Sequence, residues 1–374
     1  MTSETSAASE AEKTPDALVA RLFEQSLAML DVMSVYVGDQ LGLYRSLHDG
    51  GPATAAELAS RAGIDARYAR EWLEQQAATG FLEVDDVAAA ADQRRYLLPE
   101  AHVEPLVNLE SPYSITPLTR SMVACGKVMP QLLEAYRTGG GVDWSEYGPD
   151  MIEAQGDFNR PWLVNSFGSE MLPAMPAIHE RLTADQPARV ADVACGAGWA
   201  AISIARAYPN VTVDGFDLDD SSIELARENG RRSGVSDRVT FERRDAADPA
   251  AAGKYDLVVI IEAVHDLSRP VEVLSAVRRM LRPGGMVLIA DEKTEDAFTA
   301  PAGEIERMLY GFSIFTCLPS AMTERPTAAT GTVIREVTMR RYASEAGFGG
   351  FERLDQPDLD MLRFYRLSDP SATA

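Results

Sequence analysis

Apolar residues near the start of the chain recur at helical intervals. Leu18, Leu22, Leu27, Leu30, Met33, Val37 and Leu41 mark one face across residues 16–50, which predicts one or two long helices. In the next stretch, GPATAAELASRAG, Thr54 and Glu57 have the spacing of a capping box and Gly63 supplies a stop. Asp65 then opens a second short helix, DARYAREWLEQQAATG, which Gly80 ends. Two strand-like runs follow at 81–84 and 95–98, separated by an acidic, alanine-rich turn. Helix, helix, hairpin is the outline of a winged helix.

Residues 106–186 hold helical stretches interrupted by Pro117, Pro130, Gly139-Gly140-Gly141, Pro149 and Pro161. They are rich in large side chains such as Tyr113, Trp144, Phe158, Trp162, Phe167 and Met171. Ordinary packing between domains and the roof of a ligand pocket both fit that content. After Pro187 the rhythm becomes strand, helix, strand: RVADVACGAG, WAAISIARAYP, VTVDGFDLD, SSIELARENGRRSG, RVTFERRDA, YDLVVIIEA, a helix over 271–281, and MVLIADE. FERLDQ and MLRFYRL are spaced as two closing strands. Strands alternating with helices of this length predict an α/β fold with a Rossmann-like, doubly wound sheet of about seven strands. The expected division is a flexible tail over 1–14, a helical and winged-helix domain over 15–105, a helical linker over 106–186 and a Rossmann-like domain over 187–374.

Composition narrows the function. No run of eighteen apolar residues appears, and the polar opening MTSETSAASEAEKT has no signal-peptide core, so the sequence reads as soluble and cytoplasmic. The three cysteines, Cys125, Cys195 and Cys317, are too dispersed for a zinc framework and suit a reducing compartment. With 35 basic and 57 acidic residues the net charge is −22, which disfavours a polyanionic partner.

The chemistry-bearing residues sit at strand ends. In VADVACGAGW an apolar strand enters Cys195-Gly196-Ala197-Gly198 and then a helix, a turn whose glycines let a ligand approach the backbone beside the helix's positive end. Asp192, within that strand, is placed to accept hydrogen bonds near the turn and a ligand ammonium. Asp217 ends the next strand, nineteen residues after Gly198, where a carboxylate can take two ribose hydroxyls. Asp245 ends the third strand and can accept a proton from an adenine amine, and residues 281–285, LRPGG, lead from a helix into the fifth strand. Solvated or helix-capping acids are the plainer reading of each one singly.

Together, DVACGAG, GFDLD, RRDA and LRPGG resemble the motif series of class I S-adenosylmethionine-dependent methyltransferases over about residues 187–367. The resemblance implies S-adenosyl-L-methionine as cofactor, held by Asp192, Ala194, Gly196, Gly198, Asp217, Leu218, Asp245, Ala246 and Glu262. Ala194 stands where the family usually has the first of three glycines. Gly196, Gly198 and Ala201 also satisfy the dinucleotide pattern G-x-G-x-x-A, so an NAD-dependent dehydrogenase is the competing enzyme, one that leaves Asp192, Asp245 and LRPGG unaccounted for. With the winged helix in front, the chain is similar to two-domain small-molecule methyltransferases, both plant-type O-methyltransferases and actinobacterial natural-product enzymes. That similarity implies a homodimer, for which the stripe over 16–50 is broad enough, and a small aromatic or polyketide-like acceptor methylated on O, C or N.

His265, in IEAVHDL, stands where plant-type O-methyltransferases carry a general base, and Asp291, in LIADE, matches the acid that orients it. Their second orienting carboxylate has no counterpart placed by the sequence. No carboxylate or histidine set shows magnesium or zinc spacing, so no metal is expected. A DNA-binding regulator that senses the cofactor is the reading from another class. It is disfavoured because residues 52–100 hold five arginines against nine acids, a surface that phosphates would repel. No nucleic acid and no membrane are expected as partners.

Overall fold

A computed structural model describes residues 14–245, 253–355 and 359–369. All but the last residue of the tail expected over 1–14 lies outside them. The chain forms two compact units, Met1–Val123 and Ala124–Ala374, so the division falls inside the stretch read as a linker.

In the first unit α1 (Pro15–Gln40), α2 (Leu43–Gly50), α3 (Ala55–Ala62) and α4 (Ala66–Ala78) precede a two-stranded ribbon, β1 (Glu83–Val84) against β2 (Tyr96–Leu97). The local signals act as read. Thr54 and Glu57 cap α3 reciprocally, Glu57 Oε2 accepting the Thr54 amide at 2.8 Å and Thr54 Oγ1 accepting the Glu57 amide at 3.3 Å. Asp65 caps α4 through the Arg67 and Tyr68 amides. Leu43, Leu47, Leu58, Leu73 and Tyr96 fill the core. Trp72 joins them and donates its indole N–H to the Ser34 carbonyl at 3.0 Å. Only Val35 and Gly38 of α1 are buried, and Leu18, Leu22, Phe23, Leu27 and Leu30 lie exposed along it.

The second unit is built on seven strands: β3 (Arg189–Val193), β4 (Thr212–Asp217), β5 (Val239–Arg243), β6 (Tyr255–Ile261), β7 (Leu281–Glu292), β8 (Gly350–Leu354) and β9 (Leu362–Ser368). Their order is β5-β4-β3-β6-β7-β9-β8, parallel from β5 to β7, with β9 antiparallel to both of its neighbours. β7 begins earlier than the sequence indicates: Leu281 already pairs with Tyr255, and the register slips before Met286 meets Leu257. Helices α5 (Pro149–Trp162), α6 (Trp199–Ala207), α7 (Asp220–Arg232), α8 (Pro270–Met280), α9 (Glu304–Phe312) and α10 (Glu336–Glu345) accompany the sheet. One core joins the sheet to α6 and α7, and a second joins it to α8 and α10. Runs such as Val258, Val259 and Ile260 are buried throughout because both faces of the sheet are covered.

Chain direction across the sheet decides where a ligand can sit. From β3 the chain winds outward to β4 and β5, then returns to place β6 on the other side of β3. The reversal opens a crevice at the carboxyl ends of β3 and β6. Among the described residues no helix is long and apolar enough to cross a membrane.

Candidate active site

The turn after β3 is held by its neighbours. Ala194 has φ +57°, Gly196 φ +49° and Gly198 φ +78°, three left-handed residues in five. That conformation costs an alanine roughly 1–2 kcal/mol and a glycine almost nothing, which gives the reason a glycine suits position 194. A Cβ on Gly198 would fall 2.5 Å from the Phe241 ring, whereas one on Gly196 would meet nothing within 4 Å, so the turn is tight underneath and open above Gly196. The Gly196 amide donates to Asp217 Oδ2 at 2.9 Å, and Asp217 Oδ1 accepts the Asp219 amide at 3.0 Å. Each carboxylate oxygen keeps a further lone pair. Burial pushes the Asp217 carboxyl up from its usual range.

Asp192 lies beneath the turn, 1% exposed, and accepts the Ala201 amide at 3.1 Å. Burial, with Asp217 nearby, raises its carboxyl to about 7. Leu218 is exposed, and its carbonyl accepts the Arg243 guanidinium at 3.0 Å. Asp245 is partly exposed, 3.7 Å from an Arg269 nitrogen. Ala246 lies outside the described residues.

Across the crevice, β6 is followed by Glu262, another left-handed residue at φ +48°. The chain then makes a short turn that buries His265 at 2% exposure. Asp291, fully buried near the end of β7, accepts the Val264 amide on Oδ2 at 3.1 Å and the His265 Nδ1–H on Oδ1 at 2.6 Å. As acceptor it keeps the hydrogen on Nδ1 and turns Nε2 toward Asp266, whose Oδ1 is 3.4 Å away. Burial opposes a charged imidazole, but Asp266 and Asp291 outweigh it and push His265 well above its ordinary value.

Comparison with known proteins identifies the family and the fold. Residues 184–324 match a methyltransferase domain, and residues 28–107 match the Rv2258c-like winged HTH domain. Over 183 residues, 48% of the chain, it is 36% identical to the ubiquinone biosynthesis O-methyltransferase of Thiobacillus denitrificans, and covers 72% of that protein. The chain belongs to the methyltransferase family. It is also 36% identical over 115 residues, 30% of the chain, to the methyltransferase GfsG of Streptomyces halstedii, of which it spans only 41%. The human N-acetylserotonin methyltransferase, solved in complex with SAM, shares the fold with a TM-score of 0.69 at 16% identity, covering 96% of this chain and 99% of that one.

Three features of this methyltransferase's site lie outside the sequence reading. Gln155 and Asn159, one turn apart on α5, both donate amide hydrogens to Glu262 Oε2, at 2.9 and 2.6 Å. Burial raises the Glu262 carboxyl, and the Asn159 bond works against that rise. Glu292 is buried beside the same group, its Oε2 without a hydrogen bond in the structure, and burial, reinforced by Glu262, holds it well above the usual range. The third is Cys317. It ends the widened π-type turns that extend α9 (Ser313–Cys317), and its thiol faces His265, Asp266 and Thr332. Burial and Asp266 push that thiol up to about 12. For Gln155 and Asn159 the spacing of two amides by four residues was available as a signal; for Cys317 no local signal exists.

Proposed function

We propose that this methyltransferase transfers a methyl group from S-adenosyl-L-methionine to a hydroxyl of a small aromatic or polyketide-like acceptor, with His265 as the base. The observation that carries the proposal is the 2.6 Å bond between His265 Nδ1 and Asp291 Oδ1, at the carboxyl ends of β6 and β7 and beside the glycine turn of β3.

The residues fit the cofactor. The space above Gly196 and the spare lone pairs of Asp217 suit a ribose beside a backbone turn, and Asp192 supplies a buried carboxyl beneath. Asp245 is the adenine-side candidate, with Leu218 and Ala246 flanking the two carboxylates in sequence. Glu262, clasped by Gln155 and Asn159, follows β6, the strand next to that of the glycine turn, and stands three residues before the histidine. When bound, the cofactor supplies an electrophilic methyl group on a sulfonium.

The chain's own work is to align the acceptor oxygen and take its proton on His265 Nε2. Alignment is worth up to ~7–11 kcal/mol in favourable cases, and a base adds roughly 10²–10⁴-fold. Asp266 and Asp291 stabilise the imidazolium that results, so the histidine is a strong proton acceptor. The helical stretches between Ala124 and β3 are proposed as the pocket roof.

His265→Ala should lower kcat by roughly 10²–10⁴-fold with cofactor affinity near wild type, and Asp291→Asn should give a smaller defect. Asp217→Ala should weaken S-adenosylmethionine binding at least tenfold by calorimetry, about 1.4 kcal/mol. Near-normal turnover of the His265 variant would overturn the base, and unchanged affinity of the Asp217 variant would overturn the ribose contact.

The exposed apolar side of α1 supports a homodimer through that helix, and the excess of acids over arginines in the winged helix supports a unit that does not bind nucleic acid. The reading places the enzyme in the cytoplasm.

A further inference from the structure

Three ligating atoms of different kinds converge beyond the imidazole. His265 Nε2, an Asp266 carboxylate oxygen and Cys317 Sγ lie within 4.8 Å of one another. His265 is buried, and the other two are half-buried. Asp266 Oδ1 is covered from solvent and lies 3.4 Å from His265 Nε2, outside hydrogen-bonding geometry. A cation held between the imidazole, the carboxylate and the thiol would give this oxygen a direct ligand bond. His265 Nδ1 is already bonded to Asp291, an outer hydrogen bond of the kind that orients a metal-bound imidazole and aims its other nitrogen at the ion.

We propose that His265, Asp266 and Cys317 form a three-ligand site for Zn²⁺, and that the ion arrests methyl transfer by occupying Nε2. The donor set selects the ion: a thiolate with an imidazole favours zinc over magnesium or calcium, which take oxygen ligands. Bonds of about 2.0–2.3 Å at tetrahedral angles put ligand atoms roughly 3.5 Å apart. Closing the present spacing therefore takes side-chain movements of about an ångström. Zinc displaces to solvent the thiol proton and any proton carried on Nε2, and takes the imidazole lone pair that would accept the acceptor proton. Three protein ligands leave a fourth position for water. Binding of the ion stands on geometry alone; only its effect on turnover rests on His265 as the base.

Titration of the full-length protein with Co²⁺ should produce a thiolate-to-cobalt charge-transfer band at one equivalent, and Zn²⁺ should erase it. Cys317→Ser should lose the band and bind Zn²⁺ at least tenfold more weakly, as should Asp266→Asn, each judged after far-ultraviolet circular dichroism shows wild-type folding. Methyl transfer by the wild type should fall as Zn²⁺ rises and recover with chelator, and Cys317→Ser should need at least tenfold more Zn²⁺ for the same inhibition. Absence of the band, or its survival in Cys317→Ser, would overturn the site. Stoichiometric zinc binding without inhibition would overturn the arrest. A protein that binds zinc but transfers no methyl group would leave the site standing and sink the proposed activity instead.

Discussion

Asp192 shows how one buried carboxyl links folding to pH. Its folded value of about 7 lies well above the ordinary carboxylate value of 3.8 to which it returns on unfolding. The sign follows from which state ionises first. Below about pH 4 both states are protonated and there is no penalty. Between about 4 and 7 the unfolded chain ionises while the folded one does not, so stability falls as pH rises, by about 4 kcal/mol at most for a shift of some three units. Above 7 the slope ends. Asp217 and Cys195 are the titratable groups closest to it in effect: the first raises Asp192, and the second has its thiol pushed up by burial and by Asp192 itself. Denaturant unfolding of the wild type and Asp192→Asn between pH 4 and 8 should show the variant gaining on the wild type up to about pH 7. A difference that does not change with pH would remove this account.

At the scale of elements, α5 packs directly against the glycine turn. A Cβ on Gly156 would lie 2.6 Å from the Ala197 Cβ, so the helix approaches the turn through a position that tolerates no side chain. That approach sets Gln155 and Asn159 over Glu262. The sign of one substitution separates this from a merely flexible glycine. Gly156→Ala in an unconstrained helix would gain about 1 kcal/mol, whereas overpacking against the turn should cost about 1–3 kcal/mol. We expect a net loss of stability in denaturant unfolding, with weaker cofactor binding as α5 is displaced. A more stable Gly156→Ala protein would show that the helix yields freely and positions nothing.

For the whole molecule, α1 presents an uncovered apolar side. Leu18, Leu22, Phe23, Leu27 and Leu30 are between 47% and 63% exposed, on a helix that buries only two residues in its own unit. Apolar surface of that extent is characteristic of an interaction site, and the partner we propose is a second copy of the same helix, which is self-complementary by symmetry. Light scattering at tens of micromolar should give the mass of a dimer, and Leu22→Asp combined with Leu30→Asp should give a folded monomer. A monomeric wild type would overturn the dimer, and a dimeric double variant would move its interface elsewhere.

Along the chain, period and punctuation determined most of the architecture. The capping residues Thr54, Glu57 and Asp65 and the alternation of strand and helix act within a few residues of themselves, so their outcome is written locally. The strand-end acids Asp192, Asp217 and Asp291, and His265, were legible for a related reason: in a doubly wound sheet, position in the strand series prescribes position in space. Only the tertiary structure decided the rest. The left-handed turn at Ala194, the pairing of Gln155 and Asn159 with Glu262, and the approach of Cys317 to His265 depend on which surfaces pack together and on the phase of the widened turns before Cys317. Such contacts join residues far apart in the chain. Their free energy comes from packing the whole unit, and no local pattern carries it.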